Sequence, residues 1–311
     1  MQRIVEASKK NIQIAADIIR KGGIVAFPTE TVYGLGADAF NPDAVIRIFK
    51  IKQRPEFFPL IVHISERADT QKLYKEVSPQ AVSLMDKFWP GPLTIVLEKK
   101  ERVPDIVTSG NNTVGVRMPS NKAGFDFIRC CGTPIAAPSA NRSGSISPTD
   151  ARTVFEQLGD SVDLILDAGS TEVGIESTVI SLLEKPVILR PGCVPKEDIE
   201  KVIGKVNVIR EEPRPFRTVT PFEFLKSSVI IPDNNNLGFL AFAEPKNLKK
   251  RFKAIEVLSA GGDLWEAGKN LFEKLHKLDK MNLDKVYMEE LPEEGMGLAI
   301  MQKLRKLAVR D

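Results

Sequence analysis

Through the first two-thirds of the chain, short apolar runs alternate with helical segments that carry their own start and stop signals, and few folds accommodate that rhythm. Residues 9–21 place Ile12, Ala15, Ala16 and Ile19 on one helical face, and Gly22-Gly23 ends the helix. Ile24 to Phe27 follows as a short buried strand. Asn41-Pro42-Asp43 combines an N-cap, a first-turn proline and a first-turn acid, opening a helix to about Gln53 with Pro55 just beyond its end. Ser78-Pro79 opens the next helix in the same way, running to Trp89. Further strands are read at Leu60 to Ile64, Leu93 to Leu97, Val114 to Arg117, Pro134 to Ala137, Leu164 to Leu166, Thr178 to Leu182 and Val187 to Leu189. Helices near 121–131, 149–158 and 195–203 lie between some of them. Several strands are consecutive, so the spacing predicts an α/β fold with a mixed sheet rather than a purely doubly wound one.

The segment Arg210 to Ser227 breaks this rhythm. It holds three prolines, three arginines and three phenylalanines without a period, and reads as a linker or a strap laid over a surface. Beyond it, Val229 to Ile231, Leu237 to Phe242, Ile255 to Leu258 and Val286 to Met288 read as strands, with helices near 263–277 and 296–309. The expected organisation is therefore a domain over 1–209, a linker over 210–227 and a smaller α/β domain over 228–311.

Composition narrows the chemistry. The 311 residues include two histidines, His63 and His276, and three cysteines, Cys130, Cys131 and Cys193. These are too few for a Cys/His zinc cluster, no metal site is expected on the chain, and an odd cysteine count argues against a disulfide framework. A histidine-based triad has only two candidates. Any chemistry must lean on Lys, Arg, carboxylates, hydroxyls, backbone groups or a bound cofactor. A net charge of +3, from 44 basic and 41 acidic residues, lacks the field of a dedicated nucleic-acid binder. Arg3 and Glu6 interrupt the N-terminus, and no apolar run approaches the roughly 20 residues that span a membrane. A cytoplasmic protein without membrane contact is expected.

Gly34-Leu35-Gly36-Ala37-Asp38-Ala39 matches the short dinucleotide fingerprint G-x-G-x-x-A, in the wrong context. Asn41-Pro42 interrupts any helix that starts at Gly36, whereas the fingerprint needs a tight strand-to-helix turn. Polar residues at strand ends are more informative. Thr29, Glu30 and Thr31 follow the first strand, and Ser139 and Asn141 follow another, continuing to Ser143, Ser145 and Ser147. Glu176, Ser177 and Thr178 begin a strand, Arg117 and Arg190 end two more, and Lys52 and Arg54 close a helix. One at a time these are ordinary turn caps, dipole partners and surface arginines. As a set they suit a phosphate chain together with a carboxylate. His63, on an apolar strand, reads from spacing alone as a core histidine, and Cys130 and Cys131 as packing residues.

The stretch Gly23-Ile24-Val25-Ala26-Phe27-Pro28-Thr29-Glu30-Thr31-Val32-Tyr33-Gly34-Leu35-Gly36 closely resembles the opening motif of the YrdC-type domain, the catalytic domain of the threonylcarbamoyl-AMP synthase family. The resemblance continues through Lys52-Gln53-Arg54-Pro55 (K-x-R), Pro59 to His63, Trp89 to Thr94, Val116 to Pro119 and Ser139-Ala140-Asn141 (S-x-N). It closes with Glu176 to Val179 and Leu189 to Gly192. Asn270 to Lys280 and Gly295 to Met301 are similar to the accessory domain of two-domain members.

This resemblance implies an open twisted mixed sheet with flanking helices, followed by a smaller Rossmann-like α/β domain. It implies synthesis of threonylcarbamoyl adenylate and pyrophosphate from L-threonine, bicarbonate and ATP, with magnesium carried by the nucleotide, for the modification of tRNA. Lys52 and Arg54 are the implied catalytic residues. Arg54, Thr113, Ser139, Asn141, Ser147 and Arg190 would meet ATP, and Thr31, His63, Arg117, the backbone at Ala137, and Ser177 would meet L-threonine. Contact with tRNA or a tRNA-modification complex is a further implied partnership.

The chain departs from the family pattern at three points. Phe58 stands where Pro-x-x-Asn-Pro carries Asn, which removes an expected ATP contact. Arg210 to Ser227 has none of the tyrosines and histidine of the family's strap, and Gln302 stands where Asn is usual. These departures keep open a divergent carbamoyl-adenylate-forming or ATP-hydrolysing paralogue, and the basic residues Lys52, Arg54, Arg117, Arg142 and Arg190, on what the resemblance implies is a concave face, keep open an RNA-binding YrdC-like module.

Overall fold

A computed structural model of the chain describes residues 3–56, 58–209, 215–225, 236–245 and 251–308. They fall into two compact units. One comprises 3–143, 147–172 and 176–209; the other comprises 144–146, 173–175 and the described residues beyond 209.

Among the described residues, eleven strands form one mixed sheet in the larger unit. Their order across the sheet is Ile4–Glu6, Leu164–Asp167, Val25–Phe27, Gly34–Asp38, Ile135–Ala136, Ile61–His63, Thr113–Arg117, Leu93–Glu98, Thr178–Ser181, Val187–Arg190 and Asn207–Val208. Five neighbouring pairs are parallel and five antiparallel, so the expectation of a mixed sheet holds. Both faces are covered. Ala26 and Ile165 belong to one apolar cluster, while their chain neighbours Val25, Phe27, Leu164 and Leu166 belong to another. This two-residue alternation between covered faces is why these strands read as unbroken apolar runs.

The caps read from the sequence work as expected. Asn41 accepts from the Ala44 amide at 3.1 Å ahead of the helix Pro42–Lys52, and Ser78 accepts from the Ala81 amide at 3.3 Å ahead of Pro79–Phe88. Gln53 stops the first of these in the left-handed region, at φ 51°.

The false dinucleotide fingerprint is a strand. Gly34–Asp38 runs antiparallel to Val25–Phe27. A Cβ on Gly36 would come within 2.8 Å of Ile135 Cγ2 and 2.9 Å of Phe27 Cε1, so glycine serves close strand packing there, not a pyrophosphate. The sequence reading missed this strand, because glycine disfavours strands locally, and missed Ile4–Glu6 and Asn207–Val208, which are two or three residues long.

In the smaller unit, Phe222–Phe224, Lys285–Met288, Leu237–Ala241 and Ala254–Val257 form a parallel sheet in that order, with helices Leu264–Asp279 and Gly297–Ala308. The expected strand at Val229 to Ile231 lies outside the described residues. The segment read as a linker contains an edge strand: Phe222 pairs with Val286 and Phe224 with Met288. Its described part is tied into the smaller unit, since the Val219 and Thr220 amides both donate to Asp279 Oδ1 at 2.8 Å. A three-residue edge strand has no period to read; its partner strand defines it.

Candidate functional site

The larger unit holds a cavity with about 110 Å³ of space open to water. Its wall includes Thr31, Arg54, His63, Arg117, Ala137, Ser139, Ser177 and Arg190 from the expected contact residues. Thr29 and Glu176, noted as strand-end polar residues but given no substrate, are also on the wall. Lys52, Thr113, Asn141 and Ser147 are not among the lining residues.

The site does not gather at one end of the sheet. Following the pairings from Val25–Phe27 through Gly34–Asp38 and Ile135–Ala136 to Ile61–His63 reverses the direction three times. The strands ending at His63 and Arg117 therefore point opposite to those preceding Thr29 and Ser139. Ile61 and His63 both line the cavity, so it lies along a sheet face, where residues two apart share a side.

Arg117 is held on several sides. Its Nη2 lies 2.8 Å from Glu30 Oε1, its Nη1 donates to Thr31 Oγ1 at 2.9 Å, and its Nε donates to the Gly91 carbonyl at 3.3 Å. Glu30 Oε2 accepts from the Ser120 amide at 3.2 Å. Arg117 is thus not a bare carboxylate fork, because Glu30 already balances its charge.

Thr29 and Thr31 form a hydrogen-bond chain of one polarity. Thr29 donates to the Val32 carbonyl at 2.6 Å, and its oxygen lies 2.8 Å from that of Thr31. A hydroxyl has one proton, so Thr31 is the donor to Thr29 and accepts from Arg117.

His63 stands beside Arg117 in strand register, with its ring edge-on to Phe27 at 5.9 Å. Burial and the Arg117 charge push its pKa down to about 3, so the imidazole is neutral near pH 7. Among the described residues its Nδ1 finds no partner with hydrogen-bond geometry, which fits a polar ligand in the cavity.

Ser177 is set by two neighbours. Arg190 Nη2 donates to its Oγ at 3.0 Å, and Thr94 Oγ1 lies 2.9 Å away. Thr94 is fully buried; it closes the motif Trp89 to Thr94 but was given no role, since a threonine inside Leu93 to Leu97 reads as an ordinary strand residue.

Lys52 lies behind the wall, 1% exposed. Its Nζ donates to the Ser139 and Asn141 carbonyls at 2.5 Å each and to Asn141 Oδ1 at 3.4 Å. Its own carbonyl accepts from the Ser143 amide at 2.8 Å. Burial, and then the Arg54 charge, lower its pKa well below the usual lysine value, while three oxygens answer the three N–H bonds of an ammonium. Ser147 donates to Glu176 Oε1 at 2.9 Å, reaching the cavity through that carboxylate. Thr113 begins the strand that Arg117 ends, four residues or roughly 13 Å away along it. The Arg54 guanidinium sits 5.0 Å from the centre of the Phe58 ring. Burial pushes the thiols of Cys131 and Cys193 up, so neither is a thiolate near pH 7.

Comparison with known proteins adds an independent finding. A family model described as Telomere recombination (Sua5, YciO and YrdC) matches residues 17–192, and one described as Threonylcarbamoyl-AMP synthase, C-terminal domain, matches residues 223–308. The threonylcarbamoyl-AMP synthase of Pyrococcus abyssi is 41% identical over 95% of this chain and 93% of its own length. The chain belongs to the threonylcarbamoyl-AMP synthase family. The family's member from Bacillus subtilis is 38% identical over 97% of this chain and 95% of its own. Among solved structures, P. abyssi Sua5 complexed with L-threonine matches with a TM-score of 0.89 at 38% identity, covering 98% of this chain and 96% of that one. Escherichia coli YciO matches with a TM-score of 0.55 at 29% identity, covering 60% of this chain and 90% of its own.

Proposed function

We propose that this protein is a threonylcarbamoyl-AMP synthase: it makes threonylcarbamoyl adenylate and pyrophosphate from L-threonine, bicarbonate and ATP. The observation that carries the reading is the cavity of three arginines, paired hydroxyls and a neutral histidine, in a family whose threonine-bound member has the same fold.

The chemistry needs no side-chain nucleophile. The amine of threonine attacks the bicarbonate carbon, an N–C bond forms, a C–O bond breaks and water leaves, giving a carbamate; its oxygen then attacks the α-phosphorus of ATP, an O–P bond forms, the bond to the β-phosphate bridge breaks, and pyrophosphate leaves. The protein positions the reactants and balances charge. In this reading Arg54 and Arg190 face the phosphates, with Ser139 on the nucleotide. Thr113, Asn141 and Ser147 support the nucleotide from outside the wall. His63, Arg117, Ser177, Thr31 and the Ala137 backbone surround threonine. A neutral His63 adds no charge beside Arg117, and its unpartnered Nδ1 is a group that a polar substrate satisfies. Lys52 acts through the loop it holds rather than by contact.

Among the described residues, no group of three His, Cys, Asp or Glu side chains could hold a metal ion. In this proposal magnesium would arrive on the triphosphate, and no step is assigned to it. Assignment to the nucleotidyltransferases, delivery of the product for tRNA modification and a cytoplasmic location belong to the same proposal. Three free cysteines suit a reducing compartment, and among the described residues no helix is long and apolar enough to cross a membrane.

The test is mass spectrometry of the purified protein with the three substrates and magnesium. Threonylcarbamoyl adenylate should form, and omitting threonine or bicarbonate should abolish it. No product with all substrates present, or equal pyrophosphate release without threonine, overturns the proposal.

A further inference from the structure

We propose that the smaller unit positions part of the cavity wall through two glycines: Gly174 sets Glu176 and Ser177, and Gly144 sets Ser147. The inference rests on the functional reading above, and gives the smaller unit a task in that reaction.

Two segments from the first two-thirds of the sequence belong to the smaller unit, Gly144–Ile146 and Val173–Ile175. Each ends on a buried isoleucine. Each runs straight on into residues of the site: Ser147 follows Ile146, and Glu176 and Ser177 follow Ile175. Glu176 and Ser177 line the cavity, and Ser147 donates to Glu176 Oε1 at 2.9 Å. The two segments therefore lead into adjoining pieces of one wall.

Both are held by backbone, inside the smaller unit. Gly174 has φ 73° and lies against the helix Leu264–Asp279. A Cβ there would overlap the Lys269 carbonyl oxygen and come within 2.7 Å of its carbon. Neither atom is the end of a flexible side chain, so any larger residue displaces the segment. Gly144 has φ 85°, and its carbonyl accepts from the Arg217 amide at 2.8 Å. Arg217 is fixed in turn, because the adjacent Phe216 amide donates to the Lys306 carbonyl in the helix Gly297–Ala308 at 2.8 Å. Each glycine stands three positions before a serine of the site. So short a stretch absorbs little displacement, and shifts of about 1 Å are enough to spoil a reacting geometry. Gly144 and Gly174 are positioning residues: they touch no substrate and act through the serines that follow them.

Steady-state kinetics of the full chain compare the wild type with Gly174→Ala, Gly144→Ala and Leu275→Ala. The last removes buried apolar volume from the helix Leu264–Asp279 and alters neither glycine. Each protein is assayed at a temperature where circular dichroism shows it folded. Gly174→Ala should raise the KM for L-threonine about tenfold, the size of one lost hydrogen bond, and that for ATP less. Gly144→Ala should raise the KM for ATP about threefold and that for threonine less. Leu275→Ala should lower the melting temperature and leave both constants within about twofold of the wild type. In the wild type, L-threonine with α,β-methylene-ATP should slow amide exchange over 216–218, because coupling between sites is reciprocal, and leave the strand Lys285–Met288 unchanged. The inference is overturned if Gly174→Ala keeps its threonine KM within about twofold of the wild type, if Leu275→Ala reproduces the effect of Gly174→Ala, or if both glycine variants raise the two constants alike. Should the glycine variants fail to fold, the exchange experiment decides, and unchanged exchange over 216–218 with both ligands bound overturns the inference. A wild type that forms no threonylcarbamoyl adenylate defeats the functional reading itself.

Discussion

Glu30 and Arg117 form an ion pair at 2.8 Å with side chains only 2% and 4% exposed. Their neighbours Ser120 and Thr31 satisfy further atoms of the pair. Burying two charges is costly, and removing one partner leaves the other uncompensated. Glu30→Ala should therefore destabilise the protein by about 3–5 kcal/mol and abolish threonine binding. Urea unfolding followed by Trp89 fluorescence, in a Trp265→Phe background, measures the first; a stability loss below about 1 kcal/mol would contradict a buried pair.

His63 makes stability depend on pH. Its folded pKa, about 3, lies below the ordinary histidine value, so the unfolded chain takes up a proton that the folded chain refuses. The stabilisation is complete above pH 6.5 and is lost as pH falls toward 3, at up to about 1.4 kcal/mol per pH unit. A His63→Gln variant should show a shallower acid slope over that window. Equal slopes in parallel urea melts at pH 7, 6, 5 and 4 would mean that His63 is not buried neutral.

Lys52→Met removes the ammonium while keeping most of the side-chain length. It leaves the Ser139 and Asn141 carbonyls short of a donor, at about 1–3 kcal/mol for each buried group. Amide exchange at Ala140 and Ser143 should accelerate, while the distant strand Ile4–Glu6 is unaffected. Lys52→Arg should not restore protection, because a guanidinium overfills a site 1% exposed.

Phe58 gives Arg54 a ring to rest on, at 5.0 Å. A cation–π contact at such a site contributes roughly 0.5–1 kcal/mol. Phe58→Leu should raise the KM for ATP by about two- to fivefold and leave the KM for threonine unchanged. A rise in both constants would instead point to damage of the shared cavity.

Much of this molecule was legible in one dimension. The caps at Asn41 and Ser78, the helix faces and the apolar strands are local patterns, and physics acting over a few residues produces them. The ordered motifs around Thr31, Arg54, Arg117, Ser139 and Ser177 named most of the cavity wall before any geometry was known. Gly34–Asp38 and Phe222–Phe224 were not legible, because strands with no local preference exist only through their partners. The pairing of Thr94 with Ser177 was hidden for a similar reason: it spans 83 residues of chain.

The amino-acid order thus settled which residue types this chain brings to the cavity wall: arginines, hydroxyls and a single nearby histidine. Folding settled what each of them can do. Lys52 meets Ser139 across 87 residues, and Arg117 meets Thr31 across 86. Those meetings follow from sheet order, and they turn a lysine of a signature motif into a loop anchor. Proton direction and charge balance depend on which atoms lie within about 3 Å, a distance that only the packed sheet and its loops impose.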